Sequence, residues 1–164
     1  MVIFYKICCT FSCVFNFNFS IPQLKKEFIH YSFESKDTLF EKIKDFTKYN
    51  NSISFCTNSY LKKQFNETNY VGILEFDIFK KKFELESLNK IEDYSIYIKQ
   101  LKGPFSRMEA RWIVTDDENS FFGHKTEIKF ILDFEVPIFL RYLIKYNSTF
   151  DTFVETEIKR FLVI

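Results

Sequence analysis

Four cysteines, two histidines and the pair Glu109 and Arg111 are the side chains through which this 164-residue chain could hold a metal or move a proton. Cys8, Cys9 and Cys13 crowd the start of the chain and Cys56 stands alone. Zinc sites pair cysteines across a longer gap or add histidines, so no metal ligand is expected. A general acid or base has to converge with other polar groups in a pocket. His30 lies opposite Ile29, Tyr31 and Phe33 in an alternating run, and His124 follows a glycine in a turn, so both read as surface histidines. Glu109 and Arg111 stand two apart on one strand, on its outer face, where a charge pair contributes little. No serine has the setting of a nucleophile elbow, and no glycine-rich phosphate loop occurs. The expectation is therefore a chain with no catalytic residue, not an enzyme.

Composition narrows the class further. Lys and Arg number 23 against 22 Asp and Glu, and a net charge of +1 gives no field that would gather phosphates, which argues against a nucleic-acid partner. The 23 phenylalanines and nine tyrosines fit an aromatic pocket, and they also fit a genome rich in A/T codons, which raises Phe, Tyr, Lys, Asn and Ile together. One domain is expected at this length. Residues 1–26 are set apart. The first twenty carry a single charge, Lys6, and the apolar run from Ile7 to Phe15 is short for a membrane span, which needs about 20 residues. They read as a targeting or extension segment ahead of a domain over 27–164.

Within that domain the hydrophobic period alternates between two and 3.6. "EFIHYSF" from Glu27 predicts a strand with Ile29, Tyr31 and Phe33 on one face. Ser35 as N-cap, Asp37 in the first turn and Leu39, Ile43 and Phe46 at helical spacing predict a helix ending near Lys48. Strands follow in close order. Leu74, Phe76 and Ile78 oppose Glu75 and Asp77; Met108, Ala110, Trp112 and Val114 oppose Glu109 and Arg111; Ile128, Phe130, Leu132 and Phe134 oppose Lys129 and Asp133. One dry and one wet face imply an antiparallel sheet. After Pro137 a long helix is predicted to the C-terminus, with a possible break at "NST" where Ser148 can recap, and its stripe of Leu143, Tyr146, Phe150, Phe153, Val154, Ile158 and Phe161 needs the dry face of the sheet as partner.

Between two of the strands, "KGPFSR" makes a tight turn in which Pro104 restricts its own φ and biases Gly103 toward extended geometry. Phe105 at its tip, between Lys102 and Arg107, either folds back as a lid on the core or dips into a bilayer whose anionic head groups meet the two cations.

The order strand, helix, antiparallel meander, long C-terminal helix is that of the START-like helix-grip fold, an α+β class in which the sheet wraps the last helix around a hydrophobic cavity. "LKGPFSRMEARW" resembles the strand-turn-strand signature of the ubiquinone-binding START-like family. "FTKYNNSISFCTNS" is similar to that family's segment after the first helix, although Ser54 and Phe55 stand where the family has proline and tryptophan, and "TEIKFILDFEVPIFLRYL" resembles its last strand and helix entry. The resemblance implies a mitochondrial protein on the matrix side of the inner membrane. It would bind ubiquinone or a related polyprenyl lipid as ligand, require no cofactor, meet the membrane peripherally, and assist the use of that lipid in respiration. The cavity it implies would be lined by Leu74, Phe76 and Ile78, by Trp112, Phe130 and Leu132, and by Phe150, Phe153 and Val154, with Lys102, Phe105 and Arg107 at its mouth or on the membrane. Relatives of the RatA type imply instead a module acting on ribosomal subunits, and the same fold hosts cyclases and dehydratases.

Overall fold

A computed structural model describes residues 23–78, 81–118, 123, 125–135 and 148–163, with the side chains of 78, 81, 148–150 and 163 excepted. Residues 1–22 with Cys8, Cys9 and Cys13, together with His124, Pro137, Leu143 and Tyr146, lie outside the described residues. Seven strands form one antiparallel sheet: β1 (Gln23–Ser32), β2 (Cys56–Gln64), β3 (Asn69–Ile78), β4 (Lys81–Glu92), β5 (Ser95–Lys102), β6 (Arg107–Asp116) and β7 (Thr126–Glu135). Their spatial order is β1-β7-β6-β5-β4-β3-β2, so a six-strand meander is closed by the first strand lying against the last. Between β1 and β2 run α1 (Lys36–Lys44), a 3-10 turn (Phe46–Lys48) and α2 (Tyr49–Ser52), and α3 (Ser148–Val163) ends the described chain.

Local chemistry accounts for the helical part. Ser35 Oγ accepts from the Thr38 N–H at 3.3 Å, capping α1, and Leu39, Phe40 and Ile43 are buried at helical spacing. The predicted continuous helix to Lys48 is instead α1 followed by the 3-10 turn, with α2 coming after it. That break sets Phe46 and Tyr49 on the sheet: the Phe46 ring lies on Gly72 of β3, where a Cβ would stand 2.4 Å from it, and the buried Tyr49 hydroxyl donates to the Ile43 carbonyl.

Strand parity holds along β6 and β7, where Met108, Ala110, Trp112 and Val114 and then Ile128 and Phe134 are buried. It is reversed on β1. Leu24 and Phe28 are buried, while Ile29, Tyr31 and Phe33 face outward at 49%, 44% and 65% exposure. Register explains the reversal. Phe28 stands opposite Phe130 and Leu24 opposite Phe134, whereas Ile29 stands opposite Lys129 and Tyr31 opposite Glu127. Residues directly opposite share a face, and the longer apolar set of β7 fixes which face is dry. His30 consequently points to the inner side with Phe28 and is half-buried, a correction to its reading as a surface residue. The strand also begins at Gln23, ahead of the predicted Glu27, and Leu24 belongs to the core.

The core has two parts. The larger packs α1, the 3-10 turn, α2 and α3 against Phe28, Tyr70, Leu74, Ile96, Trp112, Val114 and Ile128. The smaller gathers Leu24, Met108 and Phe134 with Leu85, Ile98, Phe105 and Leu132. Three polar ties reach the described part of α3: Lys26 to Asp151 at 2.9 Å, the Ser54 N–H to Glu157 at 2.6 Å, and Lys42 to the Leu162 carbonyl at 2.7 Å.

A candidate ligand pocket under the C-terminal helix

Where α3 crosses the sheet beside α2, a pocket of about 220 Å³ remains unfilled. The sheet supplies Phe76, Trp112 and Phe130 as its floor, α3 supplies Phe153, Val154, Glu157, Ile158 and Phe161, and Tyr49, Ile53, Ser54 and Phe55 close the α2 side. The floor is stiffened by ring contacts: Trp112 lies 4.4 Å from Phe130 and stacks on Phe161 at 5.9 Å, and Phe161 meets Tyr49 edge-on at 4.8 Å. Such pairs add to area burial and leave the rings little freedom, so the void is a shaped one. Phe55 and Phe153 are the exposed members of the wall and mark where it opens.

The wall's two ionisable groups are already engaged. Glu157 accepts from the Ser54 N–H at 2.6 Å and from Arg160 at 3.1 Å. Tyr49 donates its proton to the Ile43 carbonyl, and burial pushes its phenol well above the ordinary range. Nearby Cys56 is buried, its Sγ 3.3 Å from the Asn58 carbonyl, and burial raises its pKa, which keeps the sulfur a thiol rather than a nucleophile. Among the described residues no group of three or more His, Cys, Asp or Glu stands close enough to hold a metal. A larger cleft of about 680 Å³ runs beside α1 and reaches Phe161, but Glu41, Lys42, Lys44, Asp45 and Lys48 ring it with charge, part of it paired locally.

The structure brings Phe76, Trp112, Phe130, Phe153 and Val154 of the predicted cavity together around this pocket. Leu74 is buried in the same core without reaching the wall, and Leu132 packs with Phe134 and Met108 in the smaller cluster. The side chains of Ile78 and Phe150 lie outside the described residues. The hairpin tip is elsewhere. Phe105 is half-buried with its ring edge-on to Phe134 at 5.6 Å, and Gln100 donates to its carbonyl at 2.7 Å; it folds back on the smaller cluster and does not line the pocket. Lys102 pairs with Glu84 at 3.3 Å, and Arg107 with Glu109 at 3.1 Å and Glu135 at 3.8 Å. Tyr49, Ile53, Ser54, Phe55, Glu157, Ile158 and Phe161 were not among the expected lining residues. Ile158 and Phe161 were readable as the continuing stripe of the last helix; the α2 side had no periodic signal.

No family model matches the chain, and no curated protein matches it. Solved structures do. It is similar to TTHA0849 from Thermus thermophilus at a TM-score of 0.67 and 16% identity, covering 85% of this chain and 94% of that one. The Zhui aromatase/cyclase from Streptomyces sp. R1128 gives 0.64 at 15% identity, with 85% and 95% covered. A START superfamily protein from Mycobacterium smegmatis gives 0.60 at 14%, with 84% and 97% covered. The expectation that the chain is not an enzyme does not survive this comparison, because an aromatase/cyclase shares its fold over nearly the whole length. Closing a ring in a confined chain relies on orientation more than on a nucleophile motif, so the missing motifs exclude nothing. The resemblance to the ubiquinone-binding family rests on the quoted segments alone. What the coordinates and the solved neighbours establish together is the START-like helix-grip fold.

Proposed function

We propose that this chain binds a hydrophobic molecule in the pocket between α3 and the sheet, and that the ligand is ubiquinone or a related polyprenyl lipid drawn from the mitochondrial inner membrane. The observation that carries the proposal is an apolar space floored by Phe76, Trp112 and Phe130 whose two ionisable wall groups, Glu157 and Tyr49, are hydrogen-bonded within the protein. Each CH₂ moved there from water contributes about 0.8 kcal/mol. At about 220 Å³ the space is smaller than the ~300–1,000 Å³ of pockets that enclose a whole drug-sized ligand. It therefore takes a ring or the end of a tail, with the remainder passing out between Phe55 and Phe153. Organic extraction of the purified full chain followed by mass spectrometry tests this. A quinone or polyprenyl species at near-stoichiometric yield is expected, and an empty extract under non-stripping conditions would count against the reading.

The likeness to an aromatase/cyclase favours a second reading, in which the same pocket folds a reactive chain and promotes its cyclisation. Glu157 is then the one carboxylate in the wall, and it would have to leave its bonds with Ser54 and Arg160 to reach a substrate. Chemical change of the extracted species on incubation with the protein separates this reading from simple binding.

A further inference from the structure

A phenylalanine in the left-handed backbone region is disfavoured and persists only where its surroundings hold it. Phe55 has φ 62. It is held from three sides: its carbonyl accepts from the Asp77 N–H at 2.9 Å, the preceding Ser54 N–H donates to Glu157 Oε2 at 2.6 Å, and the Cys56 N–H donates to the Ile53 carbonyl at 3.2 Å, closing the turn around it. Glu157 belongs to α3, its side chain is only 13% exposed, and its other oxygen is fixed by Arg160 at 3.1 Å. The ring so positioned is 53% exposed and still forms part of the pocket wall. Directly after it Cys56 pairs with Phe76, and the pairing of β2 with β3 then shifts register before Asn58.

We propose that the Ser54–Phe55 turn is a gate on the pocket, with the Phe55 ring as its leaf and the Glu157 carboxylate as its latch. The proposal rests on the pocket being a ligand site. Closed, the latch keeps the carboxylate turned to the backbone and away from the apolar space. Releasing the Ser54 hydrogen bond leaves the Asp77 bond and the Cys56–Ile53 turn bond against an unfavourable φ; Phe55 then relaxes to a negative φ and carries its ring off the mouth. Glu157 acts here as a positioning residue, through Phe55.

A gate and a plain wall differ in kinetics. Binding of the neutral fluorophore N-phenyl-1-naphthylamine to the full chain, followed by stopped flow, reads association and dissociation separately. Phe55→Ala and Glu157→Ala should speed association by about tenfold, whereas Glu157→Gln, which keeps an acceptor for the Ser54 N–H, should stay near the wild-type association rate. Unchanged association with faster dissociation in Phe55→Ala would make the ring a wall and overturn the gate. Wild-type rates in both alanine variants would overturn it as well. Should Glu157→Ala fail to fold, Phe55→Ala decides alone, since its ring is half in solvent. A wild-type protein that does not bind the fluorophore, and whose single tryptophan, Trp112, does not respond to it, would remove the pocket reading and the gate together.

Discussion

Gly72 shows how one missing side chain builds the site. It lets the Phe46 ring rest on β3, and Phe46 in turn meets Tyr49 at 5.0 Å, a residue of the pocket wall. A Cβ at Gly72 would stand 2.4 Å from two ring atoms, against a residue that is 4% exposed and has nowhere to retreat. Gly72→Ala should therefore cost about 1–3 kcal/mol of stability, as overpacking does, measured by urea unfolding. Because the clash is pairwise, Phe46→Leu combined with Gly72→Ala should lose less than the sum of the single variants. Additive losses would show that the strain lies elsewhere. At this scale the sequence was partly legible. Trp112, Phe130 and Phe76 were readable from alternation, because half-buried strands display their inner face in the residue pattern itself. Phe28 and His30 were misplaced by one step, because β1 is an edge strand with apolar residues on both faces and only its partner β7 decides which is inner.

Elements behave the same way. β6 and β7 were legible since each carries one dry and one charged face; β2 was not, since at the sheet's edge only Cys56 and Ser59 are buried and its sequence has no period to read. The α2 side of the pocket is a four-residue helix and a turn, too short for any periodicity, and it supplies Tyr49, Ile53, Ser54 and Phe55. The β5-β6 hairpin leaves two outcomes open in its sequence, and packing chooses one. Its cations already have carboxylate partners, worth little at these exposures, and Phe105 lies against Phe134, which is fully buried. Phe105→Ala should lower stability by about 2 kcal/mol, less than the loss for a fully buried ring, and should leave fluorophore binding in the pocket unchanged, since the tip does not line it. Chemical denaturation and the same fluorescence titration check both halves. An unchanged midpoint would mean the ring is not held by the smaller cluster.

Across the whole molecule, the helices are pressed onto the sheet by rings, and the tyrosines among them carry hydroxyls into the interior. Tyr49 spends its proton on Ile43, but the Tyr70 hydroxyl is buried without a hydrogen-bond partner. Burial, with Asp45 adding to it, pushes the Tyr70 phenol up to about 12 from an ordinary 10.0. The consequence is a stability that depends on pH at the alkaline end. Below the unfolded value both states keep the proton and nothing is lost. Between about 10 and 12 the unfolded chain releases a proton that the folded one retains, so stability falls by about 1.4 kcal/mol per pH unit from this group, and the loss levels off once the folded phenol also ionises. Tyr49, raised by its own burial, contributes in the same direction. Replacing Tyr70 by phenylalanine removes a buried donor that has no acceptor, so Tyr70→Phe should match or slightly exceed wild-type stability near neutral pH. Its unfolding free energy should also decline less steeply above pH 10. Denaturation curves from pH 7 to 11.5 on the two proteins measure both. Parallel alkaline limbs would mean that Tyr70 ionises in the folded state as readily as in the unfolded one, and a large loss at neutral pH would mean that its hydroxyl is bonded after all.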